Sequence, residues 1–356
     1  MPLQGPPPDG FTAVEASLRP DDCGSCHVAQ FEEWRTTVHA GAFSPGLEGQ
    51  LVEMREYGEV RSCLACHAPL GEQSARVPDG SGDLVTNPFY DPELQRRGLT
   101  CGACHVRGWR RYGPPRRDGS APASPGGAPH GGAVRTPFFE DARFCAGCHQ
   151  FSQPAPNGKP LQNTHVEWEA SRYVAAGIGC QTCHMPDRRH VWRGIHDSAT
   201  VQGGVTIAWF RPDGADGVVG LRITNTGVGH RFPTYVTPKV RVRIELLDAA
   251  GQRIAGAAAE DVIGRDVRST RAGWVEDRDT RLAPDSSFTV VTATPDAARR
   301  ARGRVTVFPD GFYNELFTAL LTRADRNDTS RALLTEALRR TDESAFVLFD
   351  ETIPLP

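Results

Sequence analysis

All ten cysteines of this chain fall in one repeated pattern. Cys-x-x-Cys-His occurs five times, as Cys23-Gly-Ser-Cys26-His27, Cys63-Leu-Ala-Cys66-His67, Cys101-Gly-Ala-Cys104-His105, Cys145-Ala-Gly-Cys148-His149 and Cys180-Gln-Thr-Cys183-His184. Structural zinc uses closed four-ligand sets, typically drawn from two Cys-x-x-Cys units. Five units do not pair up in that way, and zinc gives no reason for a His after every second Cys. Thioredoxin-type chemistry needs a single pair near a βαβ pattern, and disulfide stapling imposes no fixed two-residue spacing. A His directly after Cys-x-x-Cys is the attachment signature of c-type haem. The two thiols form thioethers with the haem vinyl groups, and the adjacent His becomes one axial ligand of the iron. Five covalently bound haem c groups are therefore expected.

The motifs start at residues 23, 63, 101, 145 and 180, so the intervals are 40, 38, 44 and 35 residues. That is little polypeptide per haem, and the porphyrins must supply much of the apolar core. The 39% hydrophobic content fits such a chain. The spacing is too uneven for a solenoid. Short helices are expected over Val28–His39, Pro45–Tyr57, Pro92–Arg97 and Thr164–Ala176, with a Pro/Gly-rich loop over 112–135. From about residue 203 the cysteines stop and strand signals begin. Strands are expected at Val205–Phe210, Val218–Thr224, Val240–Leu246, Ser287–Ala293, Arg304–Phe308 and Ser344–Phe349. Helices Phe312–Arg323 and Ser330–Arg340 interrupt them. The expected fold is a haem-packed, mostly irregular and short-helical multihaem cytochrome c domain, followed by an antiparallel β-sandwich with helical insertions. The expected division is a loose lead-in over 1–22, the five-motif domain over 23–202 and the sandwich over 203–356.

The formal charge of −3 becomes more negative with cofactor. A ferric c-haem with ionised propionates carries about −1 and a ferrous one about −2, moving the total to about −8 oxidised and about −13 reduced. Nucleic acid is therefore not an expected partner. Arginines cluster after motifs, at Arg107–Arg111, Arg116–Arg117 and Arg188–Arg189. They suit either bidentate pairing with propionates or a solvated surface. No apolar run reaches the ~18 residues of a membrane-spanning helix. The first residues have neither a charged nor an apolar signal region. Covalent haem attachment takes place outside the bacterial cytoplasm, so the mature protein is expected to be periplasmic or extracellular, its signal sequence lying outside this numbering.

Five of the eleven histidines are used by motifs, which leaves His39, His130, His165, His190, His196 and His230. Each iron has a second axial face, so these six are set against five places. Met185 follows His184 directly and is badly placed to reach the opposite face, and the other methionines are Met1 and Met54. The reading is therefore bis-His ligation, with His39, His130, His190, His196 and His230 as distal ligands. His165, ahead of Val-Glu-Trp, is assigned no definite role. Trp34, Trp109, Trp168 and Trp192 lie near motifs, as haem-packing or plain core residues.

The segments Phe31-Glu-Glu-Trp-Arg-Thr-Thr-Val-His-Ala40, Phe144-Cys-Ala-Gly-Cys-His-Gln-Phe151, Gly179-Cys-Gln-Thr-Cys-His-Met-Pro186 and His190-Val-Trp-Arg-Gly-Ile-His196 resemble multihaem cytochromes c related to the electron carrier of ammonia oxidation. Gly-His-Arg-Phe-Pro-Thr234 is similar to a loop of relatives with an added β domain. The resemblance covers roughly 23–236. It implies haems in alternating stacked and perpendicular pairs, and it supports His39, His190, His196 and His230 as distal ligands.

Two function classes follow. The first is an electron-transfer protein that relays single electrons through closely spaced bis-His haems. It would exchange them with redox proteins or extracellular acceptors, as a monomer or as a subunit of a filament or larger complex. Self-assembly would run through the β domain or a shared haem ligand. The alternative is a multihaem oxidoreductase with one open catalytic haem. No Cys-x-x-Cys-Lys variant is present, and six-coordinate irons bind no substrate, so the relay is preferred and no catalytic residue is assigned.

Overall fold

Most helices before residue 205 are short because start signals come often and apolar stripes do not; Gly311–Leu321 and Asp328–Glu343 are longer. A computed structural model describes residues 1–54, 56–118, 128–151, 160–270 and 273–356. The helix Pro45–Leu51 opens with Ser44 Oγ accepting from Leu47 N at 3.3 Å. Pro92–Arg96 opens with Asp91 Oδ1 accepting from the amides of Glu93 and Leu94. Both carry Pro at the first turn, where the missing N–H costs nothing. The expected helix Val28–His39 ends at Trp34. Beyond it, Thr36 and Thr37 hydroxyls donate back to the carbonyls of Glu33 and Trp34, at 2.8 and 2.7 Å, in competition with the helical ladder. The expected helix over 164–176 divides into Thr164–Glu169 and Arg172–Ala175, because Ser171 caps a fresh start on Tyr173 N. Pro45–Tyr57 likewise stops at Leu51, and a second helix runs Tyr57–His67. Part of the expected loop over 112–135, residues 119–127, lies outside the described residues.

Two compact units alternate along the sequence. The first comprises Met1–Cys148, Gly179–Trp192 and Ala324–Ala337. Its apolar cluster is small: Leu18, Leu70, Leu94, Ala103, Val106 and Trp109. Buried amides staple the loops around it. Gln73, fully buried, donates to the carbonyls of Leu94 and Gly98 at 2.9 and 2.7 Å. The lead-in read as loose is instead tied down. The Met1 amino group donates to Pro69 O at 2.7 Å, Gln4 N to Glu72 Oε1 at 2.6 Å, and Trp109 Nε1 to Gly5 O at 2.7 Å. Gly49 lets the 324–337 segment approach closely: a Cβ there would lie 3.0 Å from Leu334 Cγ, and Ser330 Oγ donates to Gly49 O at 2.7 Å.

The second unit comprises His149–Ile178, Arg193–Arg323 and Leu338–Pro356. Its described residues hold two larger antiparallel sheets and a two-stranded hairpin. One has the order Ser287–Ala293, Val218–Asn225, Val205–Phe210. The other has the order Phe346–Pro354, Arg300–Phe308, Lys239–Leu247, Arg253–Ile263. Alternation sets the faces: Val240, Val242, Ile244 and Leu246 are fully buried, while Arg241 and Arg243 face the other way. These residues share one apolar cluster with Leu221, Ile223, Val290 and Val305. The strands Arg253–Ile263, Arg265–Thr270 and Gly273–Asp279 carry no sequence signal, being rich in Ala and charge. Their pairing partners make them strands: the first completes the larger sheet and the other two form a hairpin.

Two outcomes follow. Ile244→Ala should destabilise the protein by about 2–4 kcal/mol, whereas Val291→Ala, at 48% exposure, should stay within about 0.5 kcal/mol in denaturant titration. Arg302 clamps Asp350 across the sheet through two bonds of 2.7 Å and holds its carboxyl below the ordinary 3.8. A depressed carboxylate stabilises above its unfolded pKa and loses that contribution as pH falls through the folded one. Because both groups are partly exposed, Asp350→Asn should cost only about 0.5–1 kcal/mol at pH 7. The stabilities of variant and wild type should converge as pH drops below 3.8.

Candidate haem-attachment sites

Four of the five motifs end a helix on their own histidine: Tyr57–His67, Cys101–His105, Arg143–His149 and Cys180–His184. In the remaining one, Cys23 lies in the turn Pro20–Gly24, and His27 caps the helix Val28–Trp34. Within a helix, positions i, i+3 and i+4 share one face. Both thiols and the imidazole of each helical motif therefore project to the same side, as attachment of one porphyrin edge and one axial bond requires. The chain turns out of the helix directly afterwards, at Ala68, Val106 and Met185.

The ring nitrogens are oriented from behind. His67 Nδ1 meets Ala42 O at 2.7 Å and His105 Nδ1 meets Tyr112 O at 2.7 Å. The amide of Gln162 meets His149 Nδ1 at 3.1 Å. A carbonyl at Nδ1 leaves Nε2 as the metal-binding nitrogen. Thiols of different motifs come together: Cys23 with Cys101, Cys66 with Cys148, and Cys145 with Cys180. The bond with Cys148 holds Cys66 down at about 7, while burial pushes Cys104 up to about 11.

Of the histidines outside the motifs, the first unit brings together His39 and His190 with Trp192. The indole lies edge-on to both, at 4.9 and 5.2 Å between ring centroids. His190 also lies 6.2 Å from His105. Burial pushes both His105 and His190 down, which keeps them neutral at pH 7, the form that ligates metal. Glu33 accepts from His190 N and from Arg189 Nε, each at 2.7 Å. His130 occupies the left-handed region (φ 45°), with its amide on Glu15 Oε1 at 2.5 Å and Nδ1 3.1 Å from Gly132 O. In the second unit, His230 Nδ1 meets Arg231 O at 2.9 Å. His196 Nε2 meets Asp310 Oδ2 at 3.0 Å. His165 lies on the helix Thr164–Glu169, with Nδ1 3.6 Å from Glu169 Oε2.

The arginines near motifs tie down backbone and carboxylates. Arg107 donates to Val106 O, Arg111 to the carbonyls of Trp109 and Glu15, and Arg188 and Arg117 share Glu140. Indole nitrogens do the same work: Trp34 donates to Leu99 O and Trp168 to Ile178 O. One contributor escapes the sequence reading. Gln181, inside the fifth motif, donates to the carbonyls of Phe139 and Asp141 at 3.0 and 2.8 Å, fixing that motif to the approach to the fourth. Its signal is a long polar side chain at the first intervening position, where the other motifs carry Gly, Leu, Gly and Ala.

This donor set, two thiols and an imidazole in each of five motifs, is the one that c-type haem attachment requires. Residues 22–106 match the family model described as cytochrome c554 and c-prime. Cytochrome c-554 of Nitrosomonas europaea is 28% identical over 108 residues, which cover 28% of this chain and 42% of that protein. The chain thus spans less than half the length of that relative, and over this stretch it is related to cytochrome c-554; of the segments that carried the resemblance, Phe31–Ala40 lies within the matched residues 22–106. Among solved structures, a penta-heme cytochrome c552 from Thermochromatium tepidum superposes with a TM-score of 0.66, covering 96% of this chain and 100% of that one at 17% identity. The shared fold therefore runs well past residue 106.

Gly98 (φ +62°) supports His39: a Cβ there would sit 2.8 Å from His39 O and from Ala42 N. Gly108 (φ +53°) has nothing within 4 Å. Gly108→Ala should cost about 1–2 kcal/mol for the left-handed backbone alone. Gly98→Ala should cost at least about 1 kcal/mol more, read as the difference in denaturation midpoints.

Proposed function

We propose that this chain is a pentahaem c-type cytochrome that relays single electrons and makes or breaks no substrate bond. The observation that carries the reading is the set of five Cys-x-x-Cys-His motifs whose thiols meet in pairs, first with third, second with fourth, and fourth with fifth. Motifs that touch attach cofactors at short range, and electron hopping needs short range. When bound, haem supplies a one-electron iron couple whose potential is set by its axial ligands and surroundings.

The chain's own residues do the rest. Ten cysteines fix position covalently, and His27, His67, His105, His149 and His184 supply one axial nitrogen each. The distal nitrogens come from the histidines outside the motifs, with His39, His130, His190 and His230 foremost. Carbonyls behind His67, His105, His130 and His230 hold the rings in place, so that changing the charge on the metal moves little. His/His ligation favours lower potentials than His/Met. Residues 23–202 are read as the haem-carrying part and 203–356 as a β-sandwich-like domain. The name of the penta-heme neighbour and the relation to cytochrome c-554 support this reading. The place of action is the periplasm or cell exterior, and the partners are redox proteins or extracellular acceptors.

Intact-mass measurement on the matured protein should show five haem additions, and the dithionite-reduced spectrum should be low-spin and unchanged by carbon monoxide. A carbon monoxide-binding haem in the wild type would transfer the reading to an oxidoreductase.

A further inference from the structure

Six histidines stand outside the motifs and five distal positions need filling, so one histidine has another task. The ring nitrogens separate them. His196 is 40% exposed, and its Nε2 is already taken by Asp310 Oδ2 at 3.0 Å. Iron ligation through that nitrogen would have to break this hydrogen bond. His165 is the reverse case. Its side chain is 12% exposed, and its Nε2 is buried with no hydrogen-bond partner among the described residues. A histidine kept inside a protein for packing ordinarily satisfies both nitrogens, because a buried unpaired one is costly.

A carboxylate lies near the other ring nitrogen, beyond hydrogen-bond distance. Glu169, one turn on, puts Oε2 3.6 Å from His165 Nδ1. The short helix is anchored on several flanks. Gln150 donates to Asn163 Oδ1 at 2.8 Å and accepts from Val166 N at 3.2 Å. Trp168 Nε1 donates to Ile178 O at 3.0 Å. Glu167 is locked to buried Arg281 at 3.1 Å. A nitrogen left unsatisfied on so firmly fixed a helix is placed for a bond the polypeptide itself does not make.

We propose that His165, and not His196, is an axial ligand to one of the haem irons. This rests on the pentahaem reading above. The distal set then becomes His39, His130, His165, His190 and His230, one for each motif. His196 becomes a structural residue that pairs with Asp310.

The test uses matured wild type, His165→Ala and His196→Ala. Haem number is counted by intact mass, spin state is read by absorption and electron paramagnetic resonance, and carbon monoxide binding is measured after reduction. His165→Ala should keep all five haems, turn one high-spin, bind one carbon monoxide per chain and regain low spin with added imidazole. His196→Ala should stay low-spin and inert. Should His165→Ala fail to fold, His165→Met should fold, remain low-spin and show thioether ligation with one potential raised. A His165 variant whose haems keep bis-His spectra overturns the assignment, and so does a high-spin haem appearing in His196→Ala. A wild type with fewer than five haems, or with a high-spin haem of its own, overturns the underlying reading instead and takes this assignment with it.

Discussion

Two thiols and an imidazole must share one face of a single helical turn, and the architecture of the motif-bearing part of this chain follows from that demand. The i, i+3, i+4 geometry needs only about one turn of helix. Long helices are therefore not required, and four motifs sit at helix ends where the chain leaves immediately after the histidine. Little conventional apolar core surrounds them. Buried amides such as Gln73, indole donors and arginines that reach backbone carbonyls keep the loops in place instead.

Ligand quality follows from what lies behind each ring. A carbonyl at Nδ1 fixes the tautomer and the angle of His67 and His105, and burial keeps His105 neutral. Trp192 makes edge contacts with both His39 and His190, two imidazoles far apart in sequence. The same criterion separates His165 from His196, since one offers a free buried nitrogen and the other a nitrogen held by a carboxylate.

The motifs themselves were legible in the sequence, because Cys-x-x-Cys-His is a fixed local spacing that needs no tertiary information to read. Strands with β-branched alternation, such as Val205–Phe210 and Ser287–Ala293, were equally plain. Arg253–Ile263 was not, because Ala-rich strands form only when a neighbour such as Lys239–Leu247 offers its edge. The docking of residues 1–22 was hidden too, since it depends on single hydrogen bonds to residues about seventy to a hundred positions away. The contrast between His165 and His196 was invisible for the same reason: Asp310 is remote in sequence, and an unpartnered nitrogen exists only in three dimensions.

A coulometric redox titration of the matured chain tests the relay most directly, because it counts electrons without assuming a substrate. One electron per motif, five per chain, should be taken up reversibly, at the low potentials of bis-His ligation. Uptake of fewer than five electrons, or a couple at the high potential of His/Met ligation, would contradict a conductor built from five closed irons.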